Sequence, residues 1–453
     1  MLYPYLINAQ GFSGKQLLIE HVTIINGKGK APEKDMQVLI EGSRIISVSK
    51  KKPSVKAGAK IINATGKFMI PGLWDMHGHF NKIADQAVPL YLACGVTGVR
   101  DMGDGFDYVK KLKEDITSGK LTGPRIIFSG TIVESPQEVK RMREWATKSG
   151  DNDTAAAIWK GRIVVGDSLS AFQAIKSLSE KGVDFIKVRN YASKEAYGFI
   201  QQAAKKYHLT VSGHAPWIVD PIDASELSAG PSSFEHGFYP DNIDAKDPAY
   251  RSKLISTFIA HKTALVPTLI AYENRSVSID SVQAVINDPT TIIDPRRKYI
   301  SGELVNFWKA GFKDRAIEKR ENLAQWRVVL KSLAAETGKL HKAGIWVMPG
   351  TDVSVTWVYP GFSLQDELIL FVERVGMTPM EAIQSATIVP AKFLGIEKDL
   401  GTIETGKLAD MVVLDANPLI DISNIKKIHA VIANGNYLNS TTLQKNLKSL
   451  ERK

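Results

Sequence analysis

The chain of 453 residues carries a single cysteine, Cys94. One thiol excludes an internal disulfide and a cysteine-rich zinc site, so a bound metal would have to rest on histidine, carboxylate or modified lysine. Long hydrophobic runs are missing too: no stretch approaches the ~18 consecutive apolar residues of a membrane helix. Met1 to Gly14 lacks the basic start and long apolar core of a signal peptide. Ile7-Asn8-Ala9-Gln10 is compatible with the stub of a trimmed export signal, which leaves cytoplasmic and periplasmic or secreted locations both open. The net charge is +10, yet no basic run is interleaved with stacking aromatics. Clusters at Lys50-Lys51-Lys52, from Lys309 to Arg327, and from Lys445 to Lys453 read as solvated faces and a fraying tail. Nucleic acid and membrane surfaces are therefore not expected partners, and a small-molecule substrate is.

What the chain does have is 44% hydrophobic and 23% charged residues, the balance of a soluble globular protein. Its length suits a large α/β barrel plus a smaller module. Short strands are expected at Gln16 to Glu20, His21 to Ile25, Met36 to Glu41, Arg44 to Val48 and Lys60 to Asn63. They recur at Asp410 to Leu414 and Ile428 to Ala433, with Asn434-Gly435 as a hairpin turn. Between these ends, strands alternate with helices, the pattern of a parallel βα arrangement. Eight strands can be placed: Phe68–Asp75, Thr97–Asp101, Arg125–Ser129, Asp184–Val188, Thr210–His214, Ser233–His236, Ala264–Thr268 and Ile345–Asp352. Eight fit a (β/α)8 TIM-type barrel, whose catalytic groups collect at the C-terminal strand ends. Two connections, Gly130 to Ser168 and Ala271 to Ile317, exceed ordinary length. The first, with Trp145 and Trp159, is either a lid or a remote helical decoration.

Chemistry enters with His77-Gly78-His79. Two imidazoles two residues apart on an extended segment project from one face, so both can reach one ion. Alone, such a pair is no more than two loop histidines; the rest of the chain supplies partners. Lys187 lies near the end of the fourth strand, His214 and His236 end the fifth and sixth, and Asp352 ends the eighth. Strand alternation turns Phe185 and Lys187 to one face, which puts a lysine inside a barrel. Its partner is either a carboxylate such as Asp352 or a metal centre. Arg189 and Tyr191 follow Lys187 on the same rim, and Tyr239 follows His236. They are candidates for gripping a substrate carboxylate, although Arg189 fits a structural ion pair equally well. Trp217 is either a pocket wall or a packed loop aromatic.

These residues, in this order, resemble the metal-dependent amidohydrolase superfamily, in particular its imidazolonepropionase-like and binuclear prolidase-like branch. The resemblance runs from Leu17 to Tyr437. It includes Gly95-Val96-Thr97-Gly98-Val99-Arg100-Asp101-Met102-Gly103, Gly123-Pro124-Arg125-Ile126-Ile127 and Gly406-Lys407-Leu408-Ala409-Asp410. It implies that residues 15–66 and 400–440 combine into a small β-sandwich beside a barrel of residues 67–399, with 441–453 as a C-terminal tail. It also implies two divalent metal ions, most simply Zn2+. His77, His79 and Asp352 would hold the more buried ion, and His214 and His236 the exposed one. Lys187, carboxylated by CO2 to a carbamate, would bridge them. Asp352 is then both ligand and catalytic base, and a metal-bridged hydroxide attacks an amide carbonyl in a dipeptide, Xaa-Pro or N-acyl amino acid. A lactone, ester, phosphotriester or cyclic imidazolone would suit the same centre. A deaminase is disfavoured, because Ala215-Pro216-Trp217-Ile218 lacks the glutamate that protonates the ring nitrogen. A non-catalytic scaffold is the minority alternative, because such relatives usually have lost ligands and all six are present. Oligomeric state, including a homo-oligomer, stays open.

Overall fold

The computed structural model describes residues 16–80, 83–103, 105–149, 162–191, 193–215, 219–237, 248–317, 323–353 and 355–451. The suggested export-signal stub, Trp159, Trp217 and Tyr239 lie outside the described residues, as do residues 150–161 of the suggested lid. The N-terminal strands are β1 (Gln16–Ile24), β2 (Glu33–Glu41), β3 (Arg44–Ser49), β4 (Lys60–Asn63) and β5 (Phe68–Pro71). The central strands are β6 (Leu73–Gly78), β7 (Val96–Asp101), β8 (Arg125–Phe128), β9 (Ile132–Glu134) and β10 (Arg162–Val164). They continue with β11 (Ile186–Val188), β12 (Val211–His214), β13 (Ser233–Glu235) and β14 (Ala264–Val266). Last come β15 (Met411–Leu414), β16 (Ile428–Ala433) and β17 (Asn436–Asn439).

Both chain ends build one eight-stranded sheet, ordered β17-β16-β15-β5-β1-β2-β3 with β4 beside β1. Period-two alternation divides its residues between two cores. Ile19, Met69, Met411 and Val413 form an apolar cluster of their own, while Ile70, Val412 and Leu414 face the main core. The expected break between Gln16–Glu20 and His21–Ile25 is a bulge within one continuous strand. His21 takes a φ of 60°, and the register with β2 slips on either side of Val22.

The central strands pair in parallel as β6-β7-β8 and β10-β9-β11-β12-β13-β14. The Asp184 N–H donates to the Phe128 carbonyl at 2.9 Å, between the two sheets. On the far side, Val347 bridges Leu265 of β14 and Val353 bridges Gly78 of β6, both in parallel. The eighth strand expected over Ile345–Asp352 is thus reduced to one isolated bridge at Val347, with a second just past its end at Val353. Pro349 has no N–H to give a ladder, and Asp352 sits at a φ of 56°, which breaks the pleat. Gly350 is required here, since a Cβ on it would lie 2.6 Å from the His77 Cβ.

The first expected strand, Phe68–Asp75, is in fact two. Phe68–Pro71 belongs to the terminal sheet, and Leu73 opens the central one. The switch is at Gly72, where an added Cβ would lie 1.9 Å from Thr97 Oγ1. The long connection after β8 contributes β9, β10 and the helix Pro136–Ser149, strands that periodicity did not suggest. Expected helices at Ser168 to Lys181 and Lys194 to Tyr207 appear as Ser168–Glu180 and Lys194–Lys206.

The anticipated fraying tail is instead a helix, Ser440–Leu450, capped by the Asn439 side chain, with Leu443, Leu447 and Leu450 buried. Its apolar residues recur at helical spacing and join the main core. Replacing Leu443 by alanine should therefore cost about 2–4 kcal/mol in urea unfolding. A loss under about 0.5 kcal/mol, the range of a surface change, would mean the helix is not docked.

Candidate metal centre

The C-terminal ends of the parallel strands bring the histidines and Asp352 together. His77 lies inside β6, one residue short of its end, and His79 just beyond. Asp352 is hung from the first of them, its N–H donating to the His77 carbonyl at 2.7 Å. The rings of His77 and His236 have centroids 4.7 Å apart, and those of His214 and His236 4.6 Å. His77 Nε2 lies 3.3 Å from Asp352 Oδ1, and His79 Nε2 3.4 Å from the same oxygen. Ligand atoms of His77, His236 and Asp352 all fall within 4.8 Å of one another.

Proton positions follow from the groups behind the rings. His79 Nδ1 lies 3.0 Å from the Gly103 carbonyl, which can only accept, so Nδ1 carries the proton. His77 Nδ1 lies 2.6 Å from Glu235 Oε2. Burial would raise the Glu235 pKa, but Arg100, His77 and Lys187 together hold its carboxyl well below the usual range. It is therefore an acceptor, and His77 donates from Nδ1. Both Nε2 lone pairs consequently face the Asp352 carboxylate. Electron-rich atoms so arranged repel one another unless a cation sits among them, and the set fits a divalent ion bound by imidazole and carboxylate.

Protonation does not compete strongly at His214 and His236. Burial, followed by the charge of Lys187, holds His214 well below its ordinary pKa. Burial likewise pushes His236 down to about 3, against the pull of Asp352. Neutral imidazoles are what a metal requires. Burial also pushes the Lys187 amine down to about 8, although Glu235 and Asp352 pull the other way. Among the described residues, the ion-pair contacts of Asp352 are to the imidazoles of His77, His79 and His236. Asp352 is thus not the ion-pair partner of Lys187 that sequence had left open.

The other expected site residues separate. Arg189 lies 3.9 Å from Glu134 Oε2, and its field reaches Lys187 and His214. Tyr191, expected on the rim, is instead packed against Tyr197 in the main core. Its hydroxyl bonds the Val165 carbonyl at 3.5 Å, a contact that holds the side chain in the core.

Four residues behind the ligands escaped sequence reasoning: Arg100, Glu235, Thr268 and Asp75. Arg100 is almost wholly buried and donates to Glu235 Oε1 and Ser233 Oγ, each at 2.8 Å, and to the Met76 carbonyl. Phe185 and Phe393 each lie 5.4 Å from its guanidinium carbon. A charged residue within the apolar strand Val96–Asp101 was the signal available, since unpaired buried arginines are rare. Thr268 Oγ1 is 2.9 Å from His236 Nδ1, and Asp75 accepts from the His77 N–H and the Thr351 hydroxyl.

A family model described as the amidohydrolase family matches residues 68–438. The chain belongs to the amidohydrolase family. Among curated relatives of the amidohydrolase chain is an ochratoxinase from Aspergillus niger. It is 23% identical over 463 residues, spanning 94% of this chain and 86% of that protein. Imidazolonepropionase from Symbiobacterium thermophilum is 38% identical, but over only 80 residues. A solved Xaa-Pro dipeptidase with methionine in its active site covers 94% of this chain and 100% of its own, with a TM-score of 0.68 and 24% identity. Membership and fold likeness imply a TIM barrel with a separate sheet domain. The protein is a hydrolase of carbon–nitrogen bonds, and amidohydrolases generally work with a divalent metal centre. No described helix is long and apolar enough to cross a membrane.

Replacing Glu235 by glutamine removes the charge opposite buried Arg100 and leaves a single acceptor where His77 and Arg100 now have one each. Stability of the metal-free protein should fall by about 3–5 kcal/mol, and metal affinity by about 10–100-fold. Denaturant titration and chelator competition measure the two. Unchanged values in both would refute the triad of arginine, carboxylate and histidine.

Proposed function

We propose that this amidohydrolase cleaves the amide bond of a dipeptide, Xaa-Pro or N-acyl amino acid at a binuclear centre. His77, His79 and Asp352 hold one ion, and His214 and His236 the other, with a Lys187 carbamate between them. The observation that carries the reading is the convergence of two imidazole Nε2 atoms on one Asp352 oxygen. The domain reading goes with it: a (β/α)8 barrel over residues 67–399 beside a composite sandwich of residues 15–66 and 400–440. Zn2+ suits the histidine and carboxylate ligands, although availability weighs as much as affinity. CO2 adds only to a neutral amine, and burial of Lys187 favours that form.

When bound, the ions acidify water and stabilise the oxyanion that develops on the carbonyl. The chain's own groups do the rest. Asp352 takes a proton from the attacking water at a carboxylate oxygen. It then returns the proton to the leaving nitrogen, as base turned acid. Glu235 and the Gly103 carbonyl keep His77 and His79 in the tautomer that leaves Nε2 free. Arg189, on the same rim, offers a guanidinium to a substrate carboxylate, with its long contact to Glu134 as the resting partner.

The test is a panel of Xaa-Pro dipeptides and N-acyl amino acids, assayed beside lactones, esters and phosphotriesters. Amide cleavage is expected, and Asp352→Asn should lower kcat by about 10²–10⁴-fold. Arg189→Met should raise KM for carboxylate-bearing substrates while changing kcat little. Turnover of esters or lactones with every amide untouched would overturn the proposal.

A further inference from the structure

One buried carboxylate is used by nothing described so far. Glu367 is fully buried in the helix Phe362–Leu370, which follows Asp352 along the chain. Its Oε1 accepts the Leu269 N–H at 2.8 Å and its Oε2 the Ile270 N–H at 2.7 Å. These N–H groups open the helix Leu269–Arg275, whose first-turn donors need partners from outside the helix.

An N-cap side chain would ordinarily supply one. The residue at that position, Thr268, makes no such bond, because its hydroxyl is turned to His236 Nδ1 at 2.9 Å. The same segment holds His236 at two further points. The His236 N–H donates to the Val266 carbonyl at 2.8 Å, and the Tyr272 hydroxyl donates to the His236 carbonyl at 3.1 Å. His236 and Thr268 both sit at positive φ, 65° and 49°, a region that β-branched threonine rarely enters. Surrounding contacts must therefore hold that geometry.

We infer that Glu367 is a positioning residue for the metal ligand His236: it caps the helix Leu269–Arg275 from another helix, so that Thr268 is free to orient the His236 ring. The inference rests on the proposed metal-binding role of His236.

The test compares Glu367→Gln, Thr268→Val and the double variant by chelator competition with Zn2+ alone, each beside its thermal midpoint. Asp410→Asn, which removes the negative charge facing Arg125 in a part-buried contact at the sheet–barrel junction, is the control for lost stability. Glutamine keeps one acceptor and turns an amide donor on the other N–H, so Glu367→Gln should weaken one of two Zn2+ affinities about 10–100-fold. Thr268→Val should do the same, and the double variant should add little to either, as residues acting in series do. Asp410→Asn should lower the midpoint and leave both affinities unchanged. If Glu367→Gln behaves like Asp410→Asn, or if its effect adds fully to that of Thr268→Val, the inference fails while the metal centre stands. If the parent protein binds no Zn2+, the metal centre itself fails.

Discussion

The site depends on one constraint: two imidazoles and a carboxylate held face to face with no proton assigned to the space between them. His77 and His79 spend their protons backwards, on Glu235 and on the Gly103 carbonyl. Asp352, fixed through its own N–H to the His77 carbonyl, presents its oxygen to both. Such an arrangement is unfavourable when empty and favourable around a cation, which is the physical argument for a metal at this site.

Keeping it assembled takes buried charge. Arg100 lies beneath the ligands, neutralises Glu235, and bonds Ser233 and the Met76 carbonyl. One guanidinium thus joins β6, β7 and β13 under the centre. Replacing the whole network with apolar residues could leave the barrel equally stable, but it would remove the acceptor that sets the His77 tautomer. Backbone geometry contributes as well. His236, just after β13, and Asp352 both adopt positive φ, so neither backbone continues as regular strand at the site.

Much of this was legible in the chain. Strand and helix alternation gave the parallel core, and the order of His77, His79, Lys187, His214, His236 and Asp352 gave the family. Strand-end positions for His214 and His236 were readable because short apolar runs stop there. Other features were not legible, for physical reasons. Pro349 and Gly350 reduce the eighth strand to one isolated bridge at Val347, and a period-two pattern does not register a missing N–H. Tyr191 is packed inward by tertiary contacts that local sequence does not encode. Glu235 and Arg100 act through space, one beside a quoted histidine and the other inside a quoted glycine-rich motif. Only the oddity of charge in an apolar strand pointed to them. The C-terminal helix was misjudged because its lysines, counted as a run, hid the spacing of Leu443, Leu447 and Leu450.

Metal content, measured on protein purified without chelator and on its Lys187→Ala variant, tests the central claim most directly. A carbamate-bridged centre predicts about two divalent ions per chain, falling to one or fewer when Lys187 is lost, with the fold retained by circular dichroism. One ion or none in the parent, unchanged by the substitution, would contradict a bridged pair and leave Lys187 as a buried lysine with no part in metal binding.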